Sequence, residues 1–186
     1  MKDETKPEGA EAAPADALAR FEHAVLPHLD AAYNLARWLT RNPADAEDVV
    51  QEAYLRAFRF FGGFRGGDGR AWLLTIVRHT CYSWRERNLG PEQTTEFDER
   101  VHSAEAETLN PELLLLQSAD QELVRTALEE LPVEFREALV LRELEGLSYK
   151  EIAEVSGVPV GTVMSRLARG RKRLAATLTS RMNKES

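Results

Sequence analysis

A chain of 186 residues, 43% hydrophobic and 30% charged, can hold one large or two small cores and is too polar for a membrane protein. No apolar run approaches the roughly 20 residues a transmembrane helix needs. The start is acidic rather than basic-then-apolar, so a cytoplasmic address is expected. The single cysteine, Cys81, excludes an internal disulfide and a Cys-based zinc framework; no histidine has ligand spacing, and neither metal nor cofactor is expected. The net charge of −7 argues at first against nucleic acid. It is unevenly placed, however: residues 91–122 hold nine acids against Arg100 alone, a net −8, and the rest of the chain sums to +1.

Residues 1–18, rich in Ala, Glu and Pro without a sustained apolar period, read as a disordered tail. A first helical domain spans 19–90. Within it, Asn42-Pro43-x-Asp45 is a helix start with a cap, a proline at the first position and an acid near the positive end of the dipole. That helix, Pro43 to about Phe61, turns Val50, Tyr54, Ala57 and Phe61 inward and leaves Asp48, Gln51, Glu52, Leu55, Arg56 and Arg59 on other faces. The glycine cluster from Gly62 to Gly69 must be a loop. After it, Leu73, Ile76, Val77, Thr80, Cys81 and Trp84 form a core stripe, opposite Thr75, Arg78, Tyr82 and Arg85. Basic groups interleaved with aromatics suit single-stranded nucleic acid, although Trp72 and Trp84 fit a core as readily.

Residues 91–111 read as a flexible acidic linker, and helical pattern over 112–182 forms a second domain. There, Ser148 and Glu151 make a capping box that starts a short helix, Tyr149 to Ser156, which Gly157 ends. Pro159 opens the next helix, whose Val163, Leu167, Gly170 and Leu174 form one buried stripe. Thr162, Ser165, Arg166, Arg169 and Arg173 project opposite. This is a helix-turn-helix with an Arg-rich second helix: arginine pairs bidentately with guanine, while hydroxyls and flanking cations hold phosphates. A solvated basic helix would show the arginines, but not the cap, glycine turn and stripe at matching spacing. The expected fold is all-α, two helical domains joined by the linker.

Taken together, five motifs in order resemble the bacterial sigma factors of the extracytoplasmic-function group. They are Asp45-Ala-Glu-Asp-Val-Val-Gln-Glu-Ala-Tyr54, Phe64-Arg65-Gly66 leading into Arg70-Ala-Trp-Leu73, Leu131-Pro132, Leu141-Arg-Glu-Leu-Glu-Gly-Leu-Ser-Tyr149, and Val160-Gly-Thr-Val-Met-Ser-Arg-Leu167. The resemblance covers about residues 20–178. It implies an alternative sigma factor that binds core RNA polymerase and directs promoter-specific initiation. Asp45, Asp48, Gln51, Glu52 and Arg56 would dock on the clamp helices of the polymerase beta-prime subunit. Phe64, Arg65, Asp68, Arg70, Arg78, Tyr82 and Arg85 would open and hold the minus-ten element, with a base flipped from the stack. Arg142, Ser148, Tyr149, Thr162, Met164, Ser165, Arg166, Arg169, Lys172 and Arg173 would read the minus-thirty-five element beside the beta flap. An anti-sigma factor is an expected further partner.

Two positions depart from the family. Many members carry a basic residue where this chain has Met164, which can pair with neither phosphate nor guanine, so an altered minus-thirty-five preference is expected. The loop Gly66-Gly67-Asp68-Gly69 is also richer in glycine than is typical. Rival readings fit less well. A two-component or quorum-sensing regulator would carry an α/β receiver or sensing domain, and the first half shows no strand alternation. An enzyme would need a carboxylate pair, an activated nucleophile or a phosphate-cradling loop, and none is legible. A protein that only sequesters another regulator would not need the Arg-rich face.

Overall fold

The computed structural model describes residues 14–89 and 118–185. Every regular element among them is helical, in keeping with the periodicity of the sequence. The linker 91–111 lies outside the described residues.

Helix α1, Pro14–Val25, starts inside the stretch assigned to the tail. Residues 14–18 are therefore helical, a correction to the expected disorder. Its last turns bury Phe21 and Val25 on the bundle, and Asp16 stands in the first turn, where the helix dipole favours an acid. Helix α2, Leu29–Thr40, and α3, Pro43–Phe60, follow. Asn42 caps α3 as expected, its Oδ1 accepting from the N–H of Ala44 at 2.8 Å and of Asp45 at 3.2 Å. Helix α4, Gly69–Leu89, completes the first module.

The three-helix core is built from Leu35 and Leu39 of α2, the small residues Ala46, Ala53 and Ala57 of α3, and Leu73, Leu74 and Val77 of α4. Alanines along α3 let the other two helices approach closely. Each fully buried leucine contributes roughly 2 kcal/mol, more than helix propensity supplies over a whole turn. Packing thus holds these helices. On α4 the buried line is Leu73, Leu74, Val77, Thr80, Cys81 and Arg85, whereas Ile76 and Trp84, expected inside, are half-buried. Gly69 is required where it stands, because a Cβ there would lie 2.3 Å from the carbonyl oxygen of Ala24. This contact sets α4 directly against the end of α1.

In the second module, α5 (Ser118–Glu129) and α6 (Val133–Leu139) lead through a π-helical turn, Val140–Leu144, to α7 (Tyr149–Ser156) and α8 (Val160–Glu185). Val163, Leu167, Gly170 and Leu174 are buried along α8 as the stripe predicts. At Gly170 a Cβ would meet the side chains of Leu139 and Phe135 at 3.2 and 3.3 Å, so α6 and α8 cross there almost backbone to side chain. The modules also pack on each other, α4 against α7 and α2 against α6, through one continuous hydrophobic cluster.

Candidate nucleic-acid interface

The helix-turn-helix is held by the local chemistry its sequence encodes. The Ser148 N–H donates to Glu151 Oε2 at 2.6 Å and the Glu151 N–H donates to Ser148 Oγ at 3.2 Å, the reciprocal capping box. Hydrogen bonding from Ser148 holds the half-buried Glu151 carboxyl below the usual carboxylate range. Gly157 adopts φ of +66°, the left-handed cap that a glycine accepts without strain. Pro159 stands one residue before the first helical position, its carbonyl accepting from Thr162 and Val163.

On the outer side of α8, Lys172 and Arg173 are exposed and Arg173 stacks on the Phe135 ring at 5.1 Å. Met164 is 53% exposed, an apolar side chain on the face where the arginines gather. Thr162, Ser165, Arg166 and Arg169 are half-buried, with Ser165 Oγ donating to the Thr162 carbonyl at 3.1 Å. Arg142 donates to the Leu147 carbonyl at 2.8 Å and stacks on Tyr149 at 5.1 Å, fixing the approach to α7. Arg171 is tied to Glu143 at 2.6 Å and so belongs to the module's own scaffold.

The glycine loop of the first module borders an open cavity of about 300 Å³, which Glu154 of α7 also lines. Phe64 and Trp72 wall it with ring centroids 5.0 Å apart, and Phe61 stacks behind Phe64 at 5.4 Å. Gly66, which lines it, and Gly67 have φ of +86° and +100°, a left-handed backbone that glycine adopts without strain. Asp68 caps α4, its Oδ1 accepting from the N–H groups of Arg70 at 2.9 Å and Ala71 at 3.3 Å. Arg65 is exposed at the mouth. Such a cavity offers aromatic faces and backbone polar groups to a planar ring.

The other predicted residues of this module are placed differently. Arg78 and Tyr82 lie on one side of α4, the guanidinium 4.3 Å from the phenol ring, and both bond the Glu137 carboxylate of α6. Arg70 reaches Glu145 at 2.8 Å. Arg85 is a correction: it is 5% exposed, and its Nη1 donates to the Leu39 carbonyl at 2.7 Å. It closes the end of α2 and does not reach the surface. Burial pushes the Cys81 thiol up to about 12, as suits a packed residue.

On α3, Asp48 and Gln51 are exposed and Asp45 half-buried. Glu52 pairs with Arg56 and, at 3.5 Å, with Arg87. Leu55 and Phe58, 70% and 56% exposed, adjoin this polar face, which makes it a mixed apolar and charged patch of the sort that marks a contact surface. The sequence places Leu55 on an outer face without a role, and it gives none to Phe58, Glu137 or Glu145. A signal for Glu137 was present. The run from Phe135 to Leu141 is apolar except for Arg136 and Glu137, which leaves that charged pair no solvated side.

The fold and this site define a helical DNA-binding protein with an aromatic cavity in one module and a helix-turn-helix in the other. Residues 24–89 match the family model Sigma-70 region 2, and residues 121–174 match Sigma-70, region 4. The chain is 38% identical over 135 residues to the ECF RNA polymerase sigma-E factor of Escherichia coli, covering 69% of this chain and 71% of that one. It is 35% identical over 147 residues to the ECF RNA polymerase sigma-E factor of Haemophilus influenzae, covering 74% and 76%. With the ECF RNA polymerase sigma factor SigE of Mycolicibacterium smegmatis it shares 37% identity over 158 residues, which span 85% of this chain and 61% of the relative. Among solved structures, it resembles the sigma factor RpoE bound to the anti-sigma factor NepR from Bartonella quintana, with a TM-score of 0.63, 30% identity and coverage of 86% and 97%. It also resembles CnrH in complex with the cytosolic domain of CnrY, with a TM-score of 0.61, 26% identity and coverage of 88% and 90%. The chain belongs to the extracytoplasmic-function group of the sigma-70 family.

Proposed function

We propose that this chain is an alternative sigma factor, which binds core RNA polymerase and directs it to a particular class of promoter. The observation that carries this reading is the order of the two modules in one chain, an aromatic-walled cavity on the first and a helix-turn-helix on the second. In this reading α8 enters the major groove of the minus-thirty-five element, with Arg166 and Arg169 reading bases and Thr162, Ser165, Lys172 and Arg173 holding phosphates. Arg142, Ser148 and Tyr149 set the approach of α7 to the backbone. Phe64 and Trp72 receive a base of the minus-ten element, Arg65 and Asp68 border the opening, and Arg70, Arg78 and Tyr82 follow the non-template strand. Extruding a base costs a few kcal/mol, which ring stacking at about 1–3 kcal/mol per base and phosphate contacts offset.

The face of α3 that bears Asp45, Asp48, Gln51, Glu52 and Arg56, with Leu55 and Phe58 beside it, meets the clamp helices of the beta-prime subunit, and the second module leans on the beta flap. The chain works in the cytoplasm and carries no catalytic step of its own. An anti-sigma factor holds it inactive; the similar sigma factor RpoE is found in complex with an anti-sigma factor, NepR.

Transcription by core enzyme on a pool of promoter fragments, with and without this chain, tests the reading. Added start sites that share two elements at fixed spacing are expected. Initiation that appears only when another sigma factor is also supplied would make the chain a regulator instead.

A further inference from the structure

The line of α8 that stands furthest into solvent is apolar. Val160, Met164 and Ala168 are exposed and follow one another at i, i+4 and i+8, so one stripe of the helix carries all three. Val160 is 42% exposed and Met164 53%. Lys172, also exposed, continues the stripe and ends it on a cation. The polar groups of the same turns are set further in: Thr162, Ser165, Arg166 and Arg169 are half-buried. Arg166 has its Nε buried and its charge near enough to act on Glu137 of α6. What α8 presents first is therefore hydrocarbon and a thioether, flanked by hydroxyls and guanidinium groups.

Packing does not account for this stripe, because Val163, Leu167, Gly170 and Leu174 already supply the buried side of α8. Its surroundings point to duplex DNA as the occupant. Positions 160–174 hold five cations, Arg166, Arg169, Arg171, Lys172 and Arg173, and no acid, so a phosphate backbone is attracted beside the stripe. An apolar protein face laid on the same stripe would have to desolvate those cations. A Cβ at Gly161 would meet nothing within 4 Å, and Ala168 is short, so little stands between Met164 and a groove floor. In the major groove the apolar feature of a base edge is the 5-methyl group of thymine. Arginines and hydroxyls pair with polar edges and gain little from it. Methionine, unbranched and with three rotatable bonds, fits itself to such a group.

We infer that Met164, with Val160 and Ala168 beside it, selects thymine in the minus-thirty-five element by burying the 5-methyl group of that base. This rests on the initiation reading for the duplex that α8 meets, and it gives the apolar stripe a selectivity that the arginines do not supply. Loss of one buried methyl group costs about 0.8 kcal/mol, which is about fourfold in affinity.

The test starts from binding alone. A pool of random duplexes is selected with the full chain and core enzyme, and each thymine of the selected sequence is replaced in turn by deoxyuridine, which lacks only the methyl group. Affinity is read by fluorescence anisotropy for the parent, Met164→Gln and Met164→Leu, substitutions at an exposed position that leave the core intact. At one thymine or more, deoxyuridine should weaken the parent about fourfold. The same replacement should have no effect with Met164→Gln, which keeps the length of the side chain but not its apolar tip, and should weaken Met164→Leu again. A pool with no preferred thymine, deoxyuridine without effect at every position, or an equal penalty in the parent and Met164→Gln overturns the proposal. So does a Met164→Gln chain that loses affinity for core enzyme without DNA, which would make the stripe a protein contact. Because selection needs no initiation, these results leave the initiation reading standing, and a chain that adds no start sites could still show the methyl dependence.

Discussion

Replacing Arg85 by methionine separates a residue that supports the fold from one that touches DNA. Arg85 is 5% exposed, and its guanidinium donates to the Leu39 carbonyl, one of the last carbonyls of α2 that no helical N–H can satisfy. Methionine keeps most of the buried stem and removes the charged donor. A hydrogen bond to a charged group contributes about 1.5–3 kcal/mol, so a loss near 2 kcal/mol is expected. For a module of this size that lowers the melting midpoint by about 10 °C. The assay is thermal unfolding by circular dichroism, paired with run-off transcription by core enzyme at a temperature where the variant is folded. Run-off yield should stay within about twofold of the parent. An unchanged midpoint with a tenfold loss of transcription would refute this reasoning and return Arg85 to the strand-binding face.

Further consequences are as direct. Met164→Arg places a cation on the exposed reading face, so duplex binding should tighten and the slope of log affinity against log salt should steepen by about 0.9 for one added phosphate contact; an unaltered slope and affinity would show that position 164 does not meet DNA. Gly69→Ala drives a Cβ to 2.3 Å from a backbone oxygen of α1, which cannot swing aside as a side chain could, and should lower the unfolding midpoint more than Gly62→Ala, where a Cβ meets nothing within 4 Å. Burial pushes the Glu137 carboxyl above the usual carboxylate range, with Arg78, Tyr82 and Arg166, the groups that face it, pulling it back. Folding therefore takes up a proton at Glu137. The stability this group contributes is full at low pH and is lost as pH rises through the raised value, so the unfolding midpoint should rise as pH falls from neutral towards the carboxylate range. Glu137→Gln should flatten that dependence.

What was legible in the sequence was what depends on near neighbours. The Asn42 cap, the Ser148–Glu151 box, the helix stop at Gly157 and the buried stripe of α8 each depend on residues no more than eleven apart, and the structure has all of them. Arg85 differs from its expected place because an arginine reads by its charge as a surface group. Its spacing from Val77 and Cys81, at i+8 and i+4, already put it on the buried line of α4. The start of α1 was missed because the bundle, not local propensity, stabilises that helix through Phe21 and Val25. The seam between the modules was illegible for a different reason. Its partners are 55 to 111 residues apart in the chain, and no periodicity relates Tyr82 to Glu137 or Asn34 to Glu145. The half-burial of Arg70 and Arg78 is thus a tertiary fact, although their candidacy as strand-binding groups came from the sequence.

Opening of promoter DNA by core enzyme plus this chain alone bears most directly on the account. On a promoter taken from the mapped start sites, thymines of the non-template strand around the minus-ten element should become reactive to permanganate when the chain is added, and Trp72→Ala, which removes one wall of the cavity, should diminish that reactivity. Permanganate reactivity no greater than with core enzyme alone would contradict the account.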